Sequence, residues 1–405
     1  MKIRLRKMSR LLLAALLPAA LLSCADEEIV GGSPRVQEGL PARIALKVVS
    51  NENRIETRAA QPGENEQRVT NLYLLVFDEH GERCEGSGLY NNPPANSVVL
   101  TVRSKNNAQI AGIANVIADV SGGNVNTTYQ LNESQLNGVK DKTQLLALLA
   151  TLDQQTLERS SQFIMSGWAT DESGSDTFNI PGSENSDEMA TFSCNLRLNR
   201  LDAKVEFVVK TEIPDGKAWK VPADKNWDKF DFRPKGWRVV NVPAQSLVLP
   251  KETGDADSGE CTYFNTDEMP FETVKRNENY LYESGGFVFY MPENRKPCRQ
   301  EIPDEPDKRY ALREERDKIN EGSTFPDRPG QKFENGPFTY APENATYVEM
   351  SGILSYKIDN EQGYEVNADV TFTVHLGYAD GNPNDYDTER NEHYIYTVTI
   401  RGIDD

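Results

Sequence analysis

Two positions in this 405-residue chain hold side chains whose surroundings invite chemistry, Cys24 and Arg58. Cys24 closes an apolar run, Leu11–Leu22, that follows the basic residues Lys2, Arg4, Arg6, Lys7 and Arg10. A charged start, an apolar stretch and a small residue (here Ser23) before the cut are the features of a secretory signal. The run is 12 residues long, whereas a spanning helix needs about 20, so residues 1–23 read as a signal that is removed. A cysteine left at the new amino terminus offers its sulfur for alkylation or for a disulfide. Arg58 precedes Ala59 in the polar stretch Asn51–Gln67, with Arg54 and Arg68 as the nearest other basic residues. Such an arginine is either a protease target or a solvated loop residue.

Elsewhere the residue pattern offers little chemistry. His80, His375 and His393 are scattered, with no metal-ligand partner at helical or hairpin spacing, and read as structural or surface histidines. Asp255–Glu260 opens like a calcium loop but lacks the ligand spacing and terminal Glu of an EF-hand; Asn382–Asp387 is a second acidic turn of that kind. There is no G-x-S-x-G, no phosphate-cradling glycine loop and no H-E-x-x-H. Carboxylate pairs are too common in so acidic a chain to nominate a glycosidase couple. The expectation is a non-enzyme without catalytic residues, cofactor or metal. Trp168, Trp219, Trp227 and Trp237 could stack on sugars if exposed, but half-buried core positions account for them equally.

The elements that position these residues are short strands. Arg43–Ser50 places Ile44, Leu46 and Val48 on one face, and Val69–Phe77 is apolar almost throughout, as a strand covered on both sides must be. Similar segments follow at Val98–Arg103, Gln109–Val116, Gln162–Trp168, Thr191–Leu198 and Ala203–Lys210. The later ones are Trp237–Asn241, Gly286–Tyr290, Tyr347–Tyr356, Ala368–Leu376 and Tyr394–Ile400, with turn-forming residues between them. One helix is expected at Gln144–Arg159, from the stripe Leu145, Leu148, Leu149 and Leu152. Many short strands with long polar connections predict β-sandwiches. A boundary near 200/201 divides the chain into a first domain, 59–200, and a second, 201–405, preceded by the segment 24–58 with the first strand. Lys251–Glu260 and Glu301–Lys332 read as exposed insertions.

Charge narrows the partners. The chain carries 63 acidic and 44 basic residues, a net −19, and loss of five basic signal residues takes it to −24. Such a field repels phosphate backbones and argues against nucleic acid. Mean hydropathy is −0.62, normal for thin, loop-rich β domains. After the signal four cysteines remain, Cys84, Cys194, Cys261 and Cys298. Pairing within halves, Cys84–Cys194 and Cys261–Cys298, and free buried thiols are both open.

Leu21-Leu22-Ser23-Cys24 resembles the lipobox of bacterial lipoproteins, with Leu22 a looser fit than the usual small residue. That implies a diacylglycerol thioether on Cys24 and a further acyl chain on the new amine. At about 0.8 kcal/mol per buried methylene, two or three chains anchor firmly. Along the rest of the chain a set of segments resembles, in order, the fimbrillin family, lipoprotein-derived pilus subunits of oral and gut anaerobic Gram-negative bacteria. They are Asp26-Glu27-Glu28, Thr57-Arg58-Ala59, the run from Arg68 to Asp78, Ile113–Val116, Phe163–Gly167 and Leu201–Val205. Phe287–Asn294, Glu389–Tyr394 and Tyr396–Ile400 complete the set.

The resemblance implies a mostly β protein of two Greek-key transthyretin-like sandwiches with a short helix in the first. It implies a structural subunit of a surface fimbria in the outer membrane, serving adhesion and partnered by other fimbrial subunits. An Arg-specific protease would cut between Arg58 and Ala59, removing the lipidated segment with its strand, and a neighbour's strand, usually C-terminal, would fill the groove. Tyr394, Tyr396, Val398 and Ile400 suit such a donor and equally suit the domain's own last strand. The alternatives are an uncleaved anchor or tip component, or a lipid-anchored protein binding a glycan or a host or bacterial surface ligand.

Overall fold

Alternation of apolar and polar residues becomes alternation of burial wherever one sheet face meets the core. In the computed structural model the description covers residues 35–400, apart from 51–65, 92–96, 118–128, 154, 160–161, 186–188, 190, 213–225, 251–260, 279, 296–343, 360–364 and 378–384. The first half contains β1 (Pro41–Ser50), β2 (Asn71–Phe77), β3 (Gly88–Asn91), β4 (Ser97–Arg103), β5 (Lys105–Ala114) and β6 (Tyr129–Gln130). Two short helices follow, α1 (Glu133–Gly138) and α2 (Lys142–Leu146), then β7 (Leu149–Leu152), β8 (Met165–Thr170), β9 (Phe178–Ile180) and β10 (Thr191–Arg200). Its main sheet runs in the order β3-β2-β5-β8-β10-β1-β4, with β9 pairing β5. Inward residues of β1, β2, β4, β5 and β10 close on one apolar cluster. Tyr73, Leu75 and Phe77, on the other face of β2, join a second cluster with residues of the helices and of the second half. Every residue of β2 is therefore buried, as its unbroken apolar run requires.

The second half contains β11 (Asp202–Thr211), β12 (Asn226–Val240), β13 (Val242–Pro243), β14 (Gln245–Leu247), β15 (Tyr263–Phe264) and β16 (Thr273–Arg276). It continues with β17 (Tyr282–Pro292), β18 (Tyr347–Asp359), β19 (Glu365–His375) and β20 (His393–Ile400). Sheets β16-β17-β11-β20 and β12-β18-β19 enclose an aromatic core in which Trp237 stacks on Phe287 at 4.1 Å and Phe207 on Tyr396 at 4.9 Å. The molecule is mostly β, and its sheets are those of β-sandwiches.

The helix expected over Gln144–Arg159 is not formed. Asp141 caps α2 through a 2.8 Å bond from the Gln144 amide to its carboxylate, α2 ends at Leu146, and the chain turns into β7. There Leu149, Ala150 and Thr151 pair with Leu247, Ser246 and Gln245 of β14. A partner strand from the other half of the chain outweighs the helical stripe, since β7 gains its ladder while Leu145 and Leu152 stay buried. The pairing Cys84–Cys194 is not formed either. Cys194 is a buried thiol in the β10 face of the core, its pKa pushed up to about 12 by burial, and Cys84 packs at the edge of the same cluster. Gly167 on β8 is demanded by packing, because a Cβ there would lie 1.9 Å from the Arg197 carbonyl oxygen.

Candidate functional site

The first strand lies inside the sheet. β1 runs parallel to β10, from Arg43 opposite Thr191 to Ser50 opposite Leu198, and antiparallel to β4, from Pro41 opposite Arg103 to Lys47 opposite Ser97. Ala42, Ile44 and Leu46 are fully buried and Val48 is 6% exposed. Without β1, the facing edges of β10 and β4 would carry unpaired backbone groups beside an apolar slot. Val98, Leu100 and Val102 of β4 and Leu196 and Leu198 of β10 belong to the cluster that β1 completes.

The last strand lies at a sheet edge. β20 ends the order β16-β17-β11-β20 and runs parallel to β11, from His393 opposite Lys204 to Ile400 opposite Thr211. Because Leu201 alone separates β10 from β11, β1 and β20 occupy corresponding places: each lies parallel to one member of that consecutive pair. The root of β20 is fastened to the junction. Asn391, at φ +64°, donates its amide to the Asp202 carbonyl at 3.0 Å and accepts the Arg200 amide on Oδ1 at 3.2 Å. Buried Arg390 donates to the Leu247 carbonyl at 2.8 Å and to the Val248 carbonyl at 3.2 Å, and pairs with Glu293.

Two further buried ionic groups close the junction. Asp202 accepts from Arg159 Nη2 at 2.8 Å, Arg159 Nε at 3.0 Å and the Tyr129 hydroxyl at 2.6 Å. Glu66, where the described chain resumes after β1, pairs with Arg200 and accepts from Lys204 Nζ at 2.8 Å and the Tyr290 hydroxyl at 2.7 Å. Burial alone would raise the Glu66 pKa; the hydrogen bonds from Lys204 and Tyr290 and the charges of Arg200 and Lys204 hold it below the usual range. The far end of the 51–65 connection is thus pinned at residue 66.

His393 Nε2 sits 3.2 Å from Glu206 Oε2 at the start of β20. Burial, aided by the Lys204 ammonium and opposed by Glu206 and Glu66, keeps its imidazole below the ordinary pKa. An unfolded chain takes up this proton from about pH 6.5 downward, whereas the folded one resists, so stability falls as pH drops through 6.5 toward the folded value. We expect His393→Gln to remove that part of the pH dependence of the thermal midpoint between about pH 7.5 and about pH 5.5. An identical pH profile in the variant would refute the assignment.

Cys24, Arg54, Arg58 and Ala59 lie outside the described residues. Arg68 is half-buried and its backbone is held, its carbonyl accepting from Asn115 Nδ2 at 2.8 Å. The three histidines are not brought together: His80 lies beside Glu79 at 3.7 Å, and His375 packs between Tyr347 and Tyr386. Trp237 is 4% exposed and Trp168 is half-buried, so neither offers an open ring face. Among the described residues no helix is long and apolar enough to cross a membrane. Sequence reasoning flagged Leu201–Val205 and Glu389–Tyr394 only as segments; it did not foresee that Asp202, Arg390 and Asn391 tie β20 to the junction, and nothing in the sequence marked Glu66.

Residues 42–202 match the family model of the major fimbrial subunit protein (FimA). Residues 42–202 form a fimbrial subunit domain. It takes in β1 from its second residue and ends at the first residue of β11. Residues 289–398 match a second model, a domain of unknown function (DUF4906), from within β17 to within β20. No curated protein matches the chain. Among solved structures, a fimbrilin from Porphyromonas gingivalis is similar at 14% identity and a TM-score of 0.48, over 89% of this chain and 90% of that one. The tip fimbrial protein Mfa3 of the same organism, truncated at its C-terminus, is similar at 15% identity and a TM-score of 0.41, over 88% and 94%. The fimbrial subunit domain gives the chain a structural and adhesive role in a cell-surface fimbria.

Proposed function

We propose that the chain is a fimbrial subunit matured from a lipoprotein precursor, which joins its neighbours by exchanging strands at the β1 slot. The carrying observation is the place of β1, bonded on both edges within the sheet yet joined to the rest of the molecule only through residues 51–65. Cys24 carries the lipid that holds the precursor in the outer membrane. An Arg-specific protease cuts between Arg58 and Ala59, which severs no described element. The strand then leaves, and a neighbour's β20 takes its place parallel to β10, restoring the ladder and covering the slot with alternate side chains. At about 25 cal/mol per Å² of apolar surface covered, a strand of this length is a strong tether. The divide at 200/201 separates a receiving domain from a donating one.

Treatment of the exported chain with an Arg-specific protease should yield Ala59 as the new amino terminus. Oligomers that survive mild denaturant should then appear. Cleavage at other loops, or a product that stays monomeric, would overturn the exchange reading.

A further inference from the structure

Most of the chain's negative charge lies in its second half. Residues 201–405 hold 40 acidic and 25 basic side chains, a net −15 out of −19. The outer face of β10-β1-β4 has the opposite character. Arg43 and Lys47 of β1, Arg103 of β4 and Arg197 of β10 are all exposed there. In register, Arg43 lies between Thr101 and Thr191, Lys47 between Ser97 and Asn195, and Arg197 opposite Val49. No outward residue of β1, β4 or β10 is a carboxylate. Acidic groups stand at the rim only: Glu85 reaches Arg103 at 3.5 Å, and Glu184 follows Ser183, whose amide bonds the Pro41 carbonyl at 3.0 Å. Two of the large apolar side chains exposed among the described residues, Val49 at 41% and Val99 at 62%, lie on this face. A flat sheet face with four cations and two bare valines is suited to an acidic protein surface.

We propose that this face receives the acidic second half of another copy of the chain. Complementary charge steers encounter and fixes orientation more than it adds affinity. Unlike surfaces meeting in this way make a heterologous contact, which propagates instead of closing into a dimer. The contact deepens the exchange reading, because β20 belongs to the acidic half and the face it meets contains the slot. Arg103 and Arg197 stand on the strands flanking that slot, so they remain when β1, with Arg43 and Lys47, has gone.

The test needs no cleavage and is therefore separate from the test of exchange. The uncleaved chain, without residues 1–23 and carrying Cys24→Ser, is followed by sedimentation velocity in about 20 mM and about 300 mM NaCl. Reversible self-association in low salt that disappears in high salt is expected. Arg103→Glu with Arg197→Glu, and separately Arg43→Glu with Lys47→Glu, should each weaken it at least about tenfold while leaving the thermal midpoint unchanged. A chain that stays monomeric in both salts, or association indifferent to both reversals, would overturn the proposal. So would binding of this face to phosphatidylglycerol vesicles in place of a second copy.

Discussion

Once β1 has been withdrawn, the remaining protein should melt about 10–20 °C below the intact chain. Cutting after Arg58 does not by itself release the strand, since both of its ladders survive the cut. A nicked sample should therefore melt near the intact value until a competing strand or mild denaturant draws β1 out. What is then lost is the burial of Ile44, Leu46 and Val48. At about 1.5–3 kcal/mol per fully buried aliphatic side chain, that is on the order of 5–9 kcal/mol. Such a loss rivals the whole stability of an ordinary domain, about 5–15 kcal/mol. A peptide spanning residues 40–50 should restore the midpoint, and a peptide spanning 391–405 should do so if β20 is the donor. Calorimetry of the stripped chain decides the matter: a midpoint equal to that of the intact protein means that the slot is not a vulnerable site.

The second large effect belongs to Asp202. Replacing it with alanine should cost about 3–5 kcal/mol in denaturant unfolding, because it strands a buried guanidinium. Arg159 and Asp202 have side chains only 2% and 1% exposed. Against the cost of burial, the Asp202 charge holds the Arg159 guanidinium above its usual pKa. Burial and the same carboxylate push the Tyr129 hydroxyl well above its range. A surface pair makes the control. Arg238 and Glu349 are 2.5 Å apart, with side chains 48% and 21% exposed, so Glu349→Ala should cost about 0–1 kcal/mol. Adding Arg159→Met to Asp202→Ala should recover part of the loss, since the double variant buries no unpaired charge. Equal costs for Asp202→Ala and Glu349→Ala would show that the junction does not depend on this ion pair.

What the sequence determined by itself was local and periodic. The alternation in Arg43–Ser50 gave a strand with one buried face, and the unbroken apolar run of Asn71–Phe77 gave one buried on both. Tyr290-Met291-Pro292-Glu293-Asn294 ended a strand at its proline, as a residue without an amide proton should. Tertiary structure decided whatever depends on residues far apart in the chain. Leu149–Leu152 became a strand because β14, nearly a hundred positions away, offered it a ladder. The place of β1 between β10 and β4 was not legible either, since period two says which side chains point inward and nothing about which strands lie alongside. Glu66, Asp202 and Arg390 looked like ordinary charges in an acidic chain. Only folding brought each to a buried partner, and burial is what turns a charge from surface decoration into a structural tie.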